Sequence, residues 1–600
     1  MSTGVPPRRA RWPRPLLAGA LAVAALTAAP SAGGAPADGA PVDGVTAAAD
    51  TARTETPVSS ASPVTGVTET QVSLRIPLPA SAGSRPARCD RLSYLRYRSS
   101  DGPPESADAD RILVAQPGIL EGAGAFDSVA RNTVRAAADK GEHIEFWALD
   151  RRSNCLEDNA GIATGSVSRA VGYYYEGRKI DGRAFDGFLT SDQVGWLGEV
   201  GLEQTVRDQY DLLTAELPDQ RLRKEKVLCG GHSLGGVLTG VFSTWDFDGN
   251  SATKADAGFN QCAGYFALDT TIAVNLDDLN GGSGTLNGGV LPAGTVPETG
   301  LGYTVVQAGL RTGALPRFLA LPAVINPEIM NLLAISGLAA RTAPGAESTL
   351  QGSLPANSNI ETTTRTMFSK NAAVFLSGRP TIRDFRLTNE ALLGAFMDDN
   401  SAPLSFIQTS VGLFDGGRLA DKDFPVSNDV QGSPALFGTE LKAIPDEPGG
   451  PLYTWRDFDR IGAPDDPVHR SADGTPFTTA AKEVSDIGEL ARSLSEQPLD
   501  FTEDYFPTKL VTDLSLVDDP RIARHMAHPE GPTARPAITF VAGDGILADR
   551  VPADENPVVL PGYQHLDVLT AAPVQNDGSR ERIATLLSAF GAAGTGRVDP

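Results

Sequence analysis

The sequence predicts an α/β fold: a mostly parallel sheet with helices on both faces, interrupted by one large insertion. Three observations carry this. Short apolar runs that suit strands buried on both faces alternate with amphipathic stretches that suit helices. A glycine-flanked turn, Gly231-His232-Ser233-Leu234-Gly235, stands between one such run and one such stretch. The alternation stops near residue 275 and resumes near residue 531.

Taken in order, Gln71-Val-Ser-Leu-Arg-Ile alternates with the period of a strand. Leu92 to Arg98 alternates again and runs into Ser100-Asp101-Gly102, a turn signal. Ile112 to Ala115 is a continuous apolar run. Ser128 to Lys140 predicts a helix stopped by Gly141, and His143 to Leu149 a strand. Glu203 to Glu216 predicts a helix that Pro218 ends. Lys226 to Cys229 predicts the strand before the glycine turn, with a helix from Leu234, and Cys262 to Asp269 the next strand. Beyond the insertion come a strand at Ala537 to Gly543, a shorter one at Val558, and a helix from Gly578 to Phe590.

These limits divide the chain into a signal peptide (1–31), a linker (32–68), a first core part (69–274), a cap or lid (275–530) and a last core part (531–600). A chain of 600 residues exceeds what a single core supports, about 250–300 residues, so a large insertion is expected. Arg8, Arg9, Arg11 and Arg14 precede an apolar run, Leu16 to Ala29, too short to span a bilayer comfortably. This pattern reads as an export signal and predicts a secreted protein, extracellular or associated with the cell envelope. Residues 32–68 are rich in Ala, Pro, Ser and Thr and predict a disordered linker. The net charge of −23 excludes a nucleic-acid partner, because phosphate binding needs a basic face.

Four cysteines in an exported chain permit two disulfides. Cys89 and Cys155 pair best, each in a loop beside a strand, whereas Cys229 on its apolar strand reads equally well as a buried free thiol. Leu315 to Ala340 is the most apolar stretch of the cap, and Pro316, Pro322 and Pro327 are expected to cut it into short pieces. It suits an acyl-chain pocket, although packing within the cap explains it more simply. Asp246-Phe-Asp248-Gly-Asn250 places oxygen ligands at alternating positions, as calcium loops do. Ser251 stands where such a loop needs glycine and no glutamate closes it, so an acidic surface turn is preferred. No metal or cofactor is assigned.

A serine hydroxyl is a weak nucleophile unless a sharp strand-to-helix turn holds it within reach of a base. The context of Ser233 supplies that turn. The base is a histidine, and only six are present. His232 is held in the turn and points elsewhere, His143 begins an early strand, and His469, His525 and His528 lie in the insertion. His565 follows the last strand, where the chain order nucleophile, acid, histidine puts the base. For the acid, Asp544 comes first because it follows the strand ending at Ala542-Gly543. Asp269, which ends the strand after the glycine turn, is the alternative, and Asp549 comes third. Two backbone N–H groups must receive the oxyanion. Leu234, next to the nucleophile, supplies one, and Ile119, in the loop after Ile112–Ala115, the other.

Together, Gln116-Pro-Gly-Ile-Leu, Phe146-Trp-Ala-Leu-Asp-Arg-Arg-Ser-Asn, Gly231-His-Ser-Leu-Gly, Gly543-Asp-Gly-Ile-Leu-Ala-Asp and Tyr563-Gln-His-Leu-Asp resemble the α/β-hydrolase superfamily, and within it the acid lipases. The resemblance covers about residues 70–270 and 535–595 and leaves out the insertion. It implies an α/β-hydrolase fold with Ser233 as nucleophile, His565 as base and Ile119 as an oxyanion donor. Two departures stand out. Pro117 replaces that branch's histidine, and Gly545 falls at its acid position, which strengthens the claim of Asp269.

The expected function is a secreted serine hydrolase cleaving carboxylic esters through an acyl-enzyme, acting on a small-molecule or lipid ester with transient contact to a lipid surface. Two rivals remain open: a secreted serine peptidase of the same fold acting on short peptides, and a non-catalytic binding protein that has kept the fold.

Overall fold

The computed structural model describes residues 52–274, 302–320, 325–425, 438, 440–496, 498–548, 551 and 556–592. The expected signal peptide and Asp549 lie outside the described residues.

Among the described residues, nine strands form the main sheet: β1 (Arg53–Val58), β2 (Val67–Arg75), β3 (Arg91–Ser99), β4 (Arg111–Gln116), β5 (Ile144–Leu149), β6 (Val227–His232), β7 (Gly264–Leu268), β8 (Ala537–Ala542) and β9 (Val558–Leu560). Their order across the sheet is β1-β2-β3-β5-β4-β6-β7-β8-β9. β1, β2 and β3 pair antiparallel, and β3 meets β5 antiparallel. From β5 to β9 every pairing is parallel. All residues of β5, β6 and β7 are buried, so both faces of the central sheet are covered, as the continuous apolar runs predict. The helix Asp127–Ala138 packs on β5 and on the C-terminal helix Arg582–Ala592. The helix Leu234–Thr244 packs on β4, β6 and β7, with Leu202–Glu216 beside it.

The structure corrects the linker. Residues 53–58 form β1, which pairs along its whole length with β2. Its residues are almost all exposed, so the strand gains a backbone ladder rather than a buried face. A composition argument about burial cannot detect such a strand. The following turn is tied to the cap, where Ser60 Oγ donates to Glu496 at 2.9 Å and Ser62 Oγ to Glu489 at 3.2 Å.

Cys89 and Cys155 are paired, as expected. Cys229 is also paired, with Cys262, which corrects the free-thiol reading. Cys229 lies in β6 and Cys262 just before its parallel neighbour β7, so the helix connecting the two strands returns the chain to within reach of the first thiol.

In the cap, Pro327 starts a helix rather than cutting the chain. The helix Pro327–Thr342 has Asn326 as its N-cap, and Pro327 sits where a missing N–H costs nothing. Its Ile329, Leu332, Leu333, Ile335 and Leu338 are buried, and the helix packs closely on Ile487–Ser495. The apolar surface is therefore used in packing. No helix among the described residues is long and apolar enough to cross a membrane. Cap and sheet share one continuous hydrophobic core, and buried ion pairs join them: Arg492 with Asp127, and Arg151 with Glu503 at 2.6 Å.

Peptide mapping without reduction should recover the Cys89–Cys155 and Cys229–Cys262 crosslinks, and the unfolded, unreduced chain should contain no reactive thiol. Cys262→Ser should lower stability in urea by about 4 kcal/mol, the usual scale for a loop of this length.

Candidate active site

Ser233 joins β6 to the helix Leu234–Thr244 with φ 51° and ψ −118°. A non-glycine residue at positive φ costs about 1–3 kcal/mol, which the surrounding packing must impose. The packing here is tight. A Cβ on Gly235 would lie 2.1 Å from the Gln116 carbonyl oxygen, and one on Gly231 would lie 2.4 Å from the same atom. The end of β4 thus presses directly on the turn, and glycine is required on both sides of the serine. The Ser233 N–H donates to the Leu268 carbonyl at 3.2 Å, which ties the turn to the end of β7.

His565 follows β9 through Pro561-Gly562, with Gly562 at φ 82°. Its Nδ1–H donates to Asp269 Oδ2 at 2.5 Å, and the other Asp269 oxygen accepts from the Ala542 N–H at 2.9 Å. Asp269 directly follows β7 and is fully buried. With Nδ1 donating, the lone pair of Nε2 is free to accept a proton. Burial and the charge of His232 hold the His565 imidazole below its ordinary value, against the opposing pull of Asp269 and Glu121. No hydrogen bond joins Ser233 Oγ to His565 Nε2; catalytic hydrogen bonds of this kind often tighten only in the complex with substrate. Ser233 and His565 are nonetheless neighbours through His232, whose ring centroid is 4.4 Å from that of His565.

The expected acid Asp544 is corrected. Its carboxylate faces Lys482 at 3.7 Å, and its N–H donates to the Tyr563 carbonyl at 3.1 Å. The chain turns after β8 so that this side chain leaves the histidine, while Asp269 reaches it from the neighbouring strand. A side chain built on Gly545 would come within 3.2 Å of Asp269 Oδ2, so the carboxylate from β7 occupies the space beside that position.

The histidine loop is held from the cap. The Asp567 carboxylate accepts from the Gln564 N–H at 2.7 Å, Thr409 Oγ1 at 2.6 Å and Ser485 Oγ at 2.7 Å. The Leu566 N–H donates to the Gln408 carbonyl at 3.1 Å.

The loop after β4 is held just as firmly. Leu120 has φ 60°. Arg151 donates to the carbonyls of Pro117 at 2.8 Å, Glu121 at 2.9 Å and Gly118. Glu503 binds Arg151 and, through its N–H, the Leu120 carbonyl at 2.8 Å. No protein acceptor among the described residues takes the N–H of Ile119 or Leu234, the two expected oxyanion donors. The Glu121 carboxylate accepts from the Gly118 N–H at 2.6 Å and is hydrogen-bonded to His232 Nδ1 at 2.7 Å, and His232 Nε2 donates to the His565 carbonyl at 3.0 Å. Sequence reasoning missed Glu121, Arg151 and the anchoring of Asp567. A signal was present in Glu121 and His232, two ionisable residues at positions the apolar pattern buries, which therefore require partners.

Among the described residues, two groups of carboxylates could hold a cation: Asp246, Asp248 and Asp256 near the surface, and Asp398, Asp399 and Glu483 buried in the cap.

No protein-family profile matches the chain, and no curated protein matches it. Among solved structures it is similar to the peroxisomal alpha-beta-hydrolase Lpx1 of Saccharomyces cerevisiae, at 12% identity, covering 90% of this chain and 89% of that one with a TM-score of 0.29. The fold is an α/β-hydrolase fold: a mostly parallel sheet, a strained serine between a central strand and a helix, and serine, aspartate and histidine in that chain order.

Gly235→Ala should destabilise the protein by about 3 kcal/mol, because backbone rather than a movable side chain meets the new methyl group. Urea unfolding would measure this, and a loss under about 0.5 kcal/mol would contradict the crowding described.

Proposed function

We propose that this chain is a secreted serine hydrolase of carboxylic esters. The observation that carries the reading is the buried hydrogen bond between His565 Nδ1 and Asp269 beside the strained Ser233 turn. Such a pair fixes the imidazole tautomer and stabilises the imidazolium that forms when the serine loses its proton. In the proposed reaction Ser233 Oγ attacks the acyl carbon while His565 Nε2 takes its proton. The N–H groups of Leu234 and Ile119 receive the negative charge that develops on the carbonyl oxygen. His565 then gives its proton to the leaving alkoxide. Water, activated by the same histidine, releases the acyl group from Ser233.

Export is supported by the basic and apolar leader and by two disulfides, which persist in oxidising compartments. The substrate is proposed to be a small-molecule or lipid ester, with any contact to a lipid surface transient.

Activity on p-nitrophenyl esters of graded chain length tests the reading, with amino-acid p-nitroanilides as the peptidase control. Ser233→Ala should abolish ester turnover, Asp269→Asn should lower kcat about 10⁴-fold, and Asp544→Asn should leave it unchanged. Wild-type rates from Ser233→Ala would end the proposal, and a large loss from Asp544→Asn with none from Asp269→Asn would reverse the acid assignment. The acid limb of kcat/KM should fall below the ordinary histidine value of about 6.5, because burial and the His232 charge both disfavour protonated His565.

A further inference from the structure

His232 and Glu121 stand outside the reaction just described, yet their hydrogen bonds join all three of its moving parts. Glu121 holds the Gly118 N–H of the loop that carries Ile119. His232 belongs to the turn that carries Ser233, and it holds the carbonyl of His565. We propose that Glu121 and His232 form a positioning pair that fixes the oxyanion loop and the histidine loop to the serine turn, with His232 held as an imidazolium beside His565. The proposal rests on the hydrolase reading and adds to it a control over the proton affinity of the base.

Hydrogen-bond chemistry narrows the charge assignment. The His565 carbonyl can only accept, so His232 Nε2 must carry a proton. Glu121 accepts from the Gly118 N–H through one oxygen and faces His232 Nδ1 through the other. Both contacts are buried, and a neutral imidazole protonated at Nε2 would set its Nδ1 lone pair against the carboxylate. Two states satisfy every group: an ionised Glu121 with a doubly protonated His232, or a protonated Glu121 that donates to Nδ1 of a neutral His232. The charge balance favours the ion pair. Burial opposes both ions, but His232 holds Glu121 below its ordinary value and Glu121 holds His232 above its own.

The consequence falls on His565. The charged groups facing it are Asp269 from β7, Glu121 from the β4 loop and His232 from β6. Asp567 on its own loop is turned to Thr409, Ser410 and Ser485. Asp269 and Glu121 favour protonation of His565, and His232 opposes it. Without the imidazolium, His565 would take a proton at higher pH and the base form would be lost earlier on acidification.

The test reads Ser233 labelling by a fluorophosphonate, in which Ser233 Oγ bonds to phosphorus, fluoride leaves and His565 takes the proton. Labelling rate against pH in the full chain reports the His565 titration without a known substrate. His232→Gln should raise the acid limb by about one pH unit. Glu121→Gln should raise it by less, since it removes an attraction together with the repulsion; it also carries the test if His232→Gln does not fold. Ring-¹⁵N histidine NMR of the wild type should show His232 protonated on both nitrogens at pH 7 to 8. A folded variant that labels more slowly with an unmoved acid limb would reduce the pair to scaffolding, and a singly protonated His232 would overturn the charge assignment. Failure of wild-type Ser233 to label would instead defeat the hydrolase reading, while the NMR result would still decide the state of the pair.

Discussion

The Asp269 carboxylate has two oxygens and two obligations, and the site depends on both being met. One oxygen takes the imidazole N–H of His565, and the other takes the Ala542 N–H at the end of β8. An ionised carboxylate removed from water needs this degree of satisfaction. The bond to Ala542 aims the other oxygen, because it joins β7 to β8 at the point where the histidine loop crosses. Asp269 itself sits at φ 42°, so the chain leaves β7 in a conformation that only firm surroundings maintain.

The cap contributes to this geometry rather than only covering it. Its Thr409, Ser410 and Ser485 fill the Asp567 carboxylate, which shapes the loop carrying His565. Its Glu503 neutralises Arg151, which in turn gathers three carbonyls of the loop carrying Ile119. Each loop around Ser233 is thus braced by a polar group from an insertion that is remote in sequence. The main hydrophobic core, which sheet and cap share, fits this dependence.

Much of this was legible in the sequence where a local rule applies. The buried parallel strands declared themselves as apolar runs, and the serine turn as two glycines flanking Ser233, because a Cβ at either glycine would strike the Gln116 carbonyl. His565 could be found by elimination, since few histidines were present and only one followed the last strand. β1 was not legible, because an exposed strand owes its pairing to β2 rather than to its own side chains. Pro327 was misread because a proline that breaks a helix inside its span is well suited to its first position.

By itself, the sequence determined the α/β alternation, the position of the large insertion, and Ser233 and His565 as candidates, because strand periodicity, steric need for glycine and chain order are properties of short segments. Tertiary structure alone decided that Asp269 rather than Asp544 meets His565, that Cys229 pairs with Cys262, and that Glu121 and His232 join the loops. The physical reason is common to all three. Each depends on which side chains converge when strands become neighbours, and that spatial adjacency is set by the packing of the whole sheet and cap.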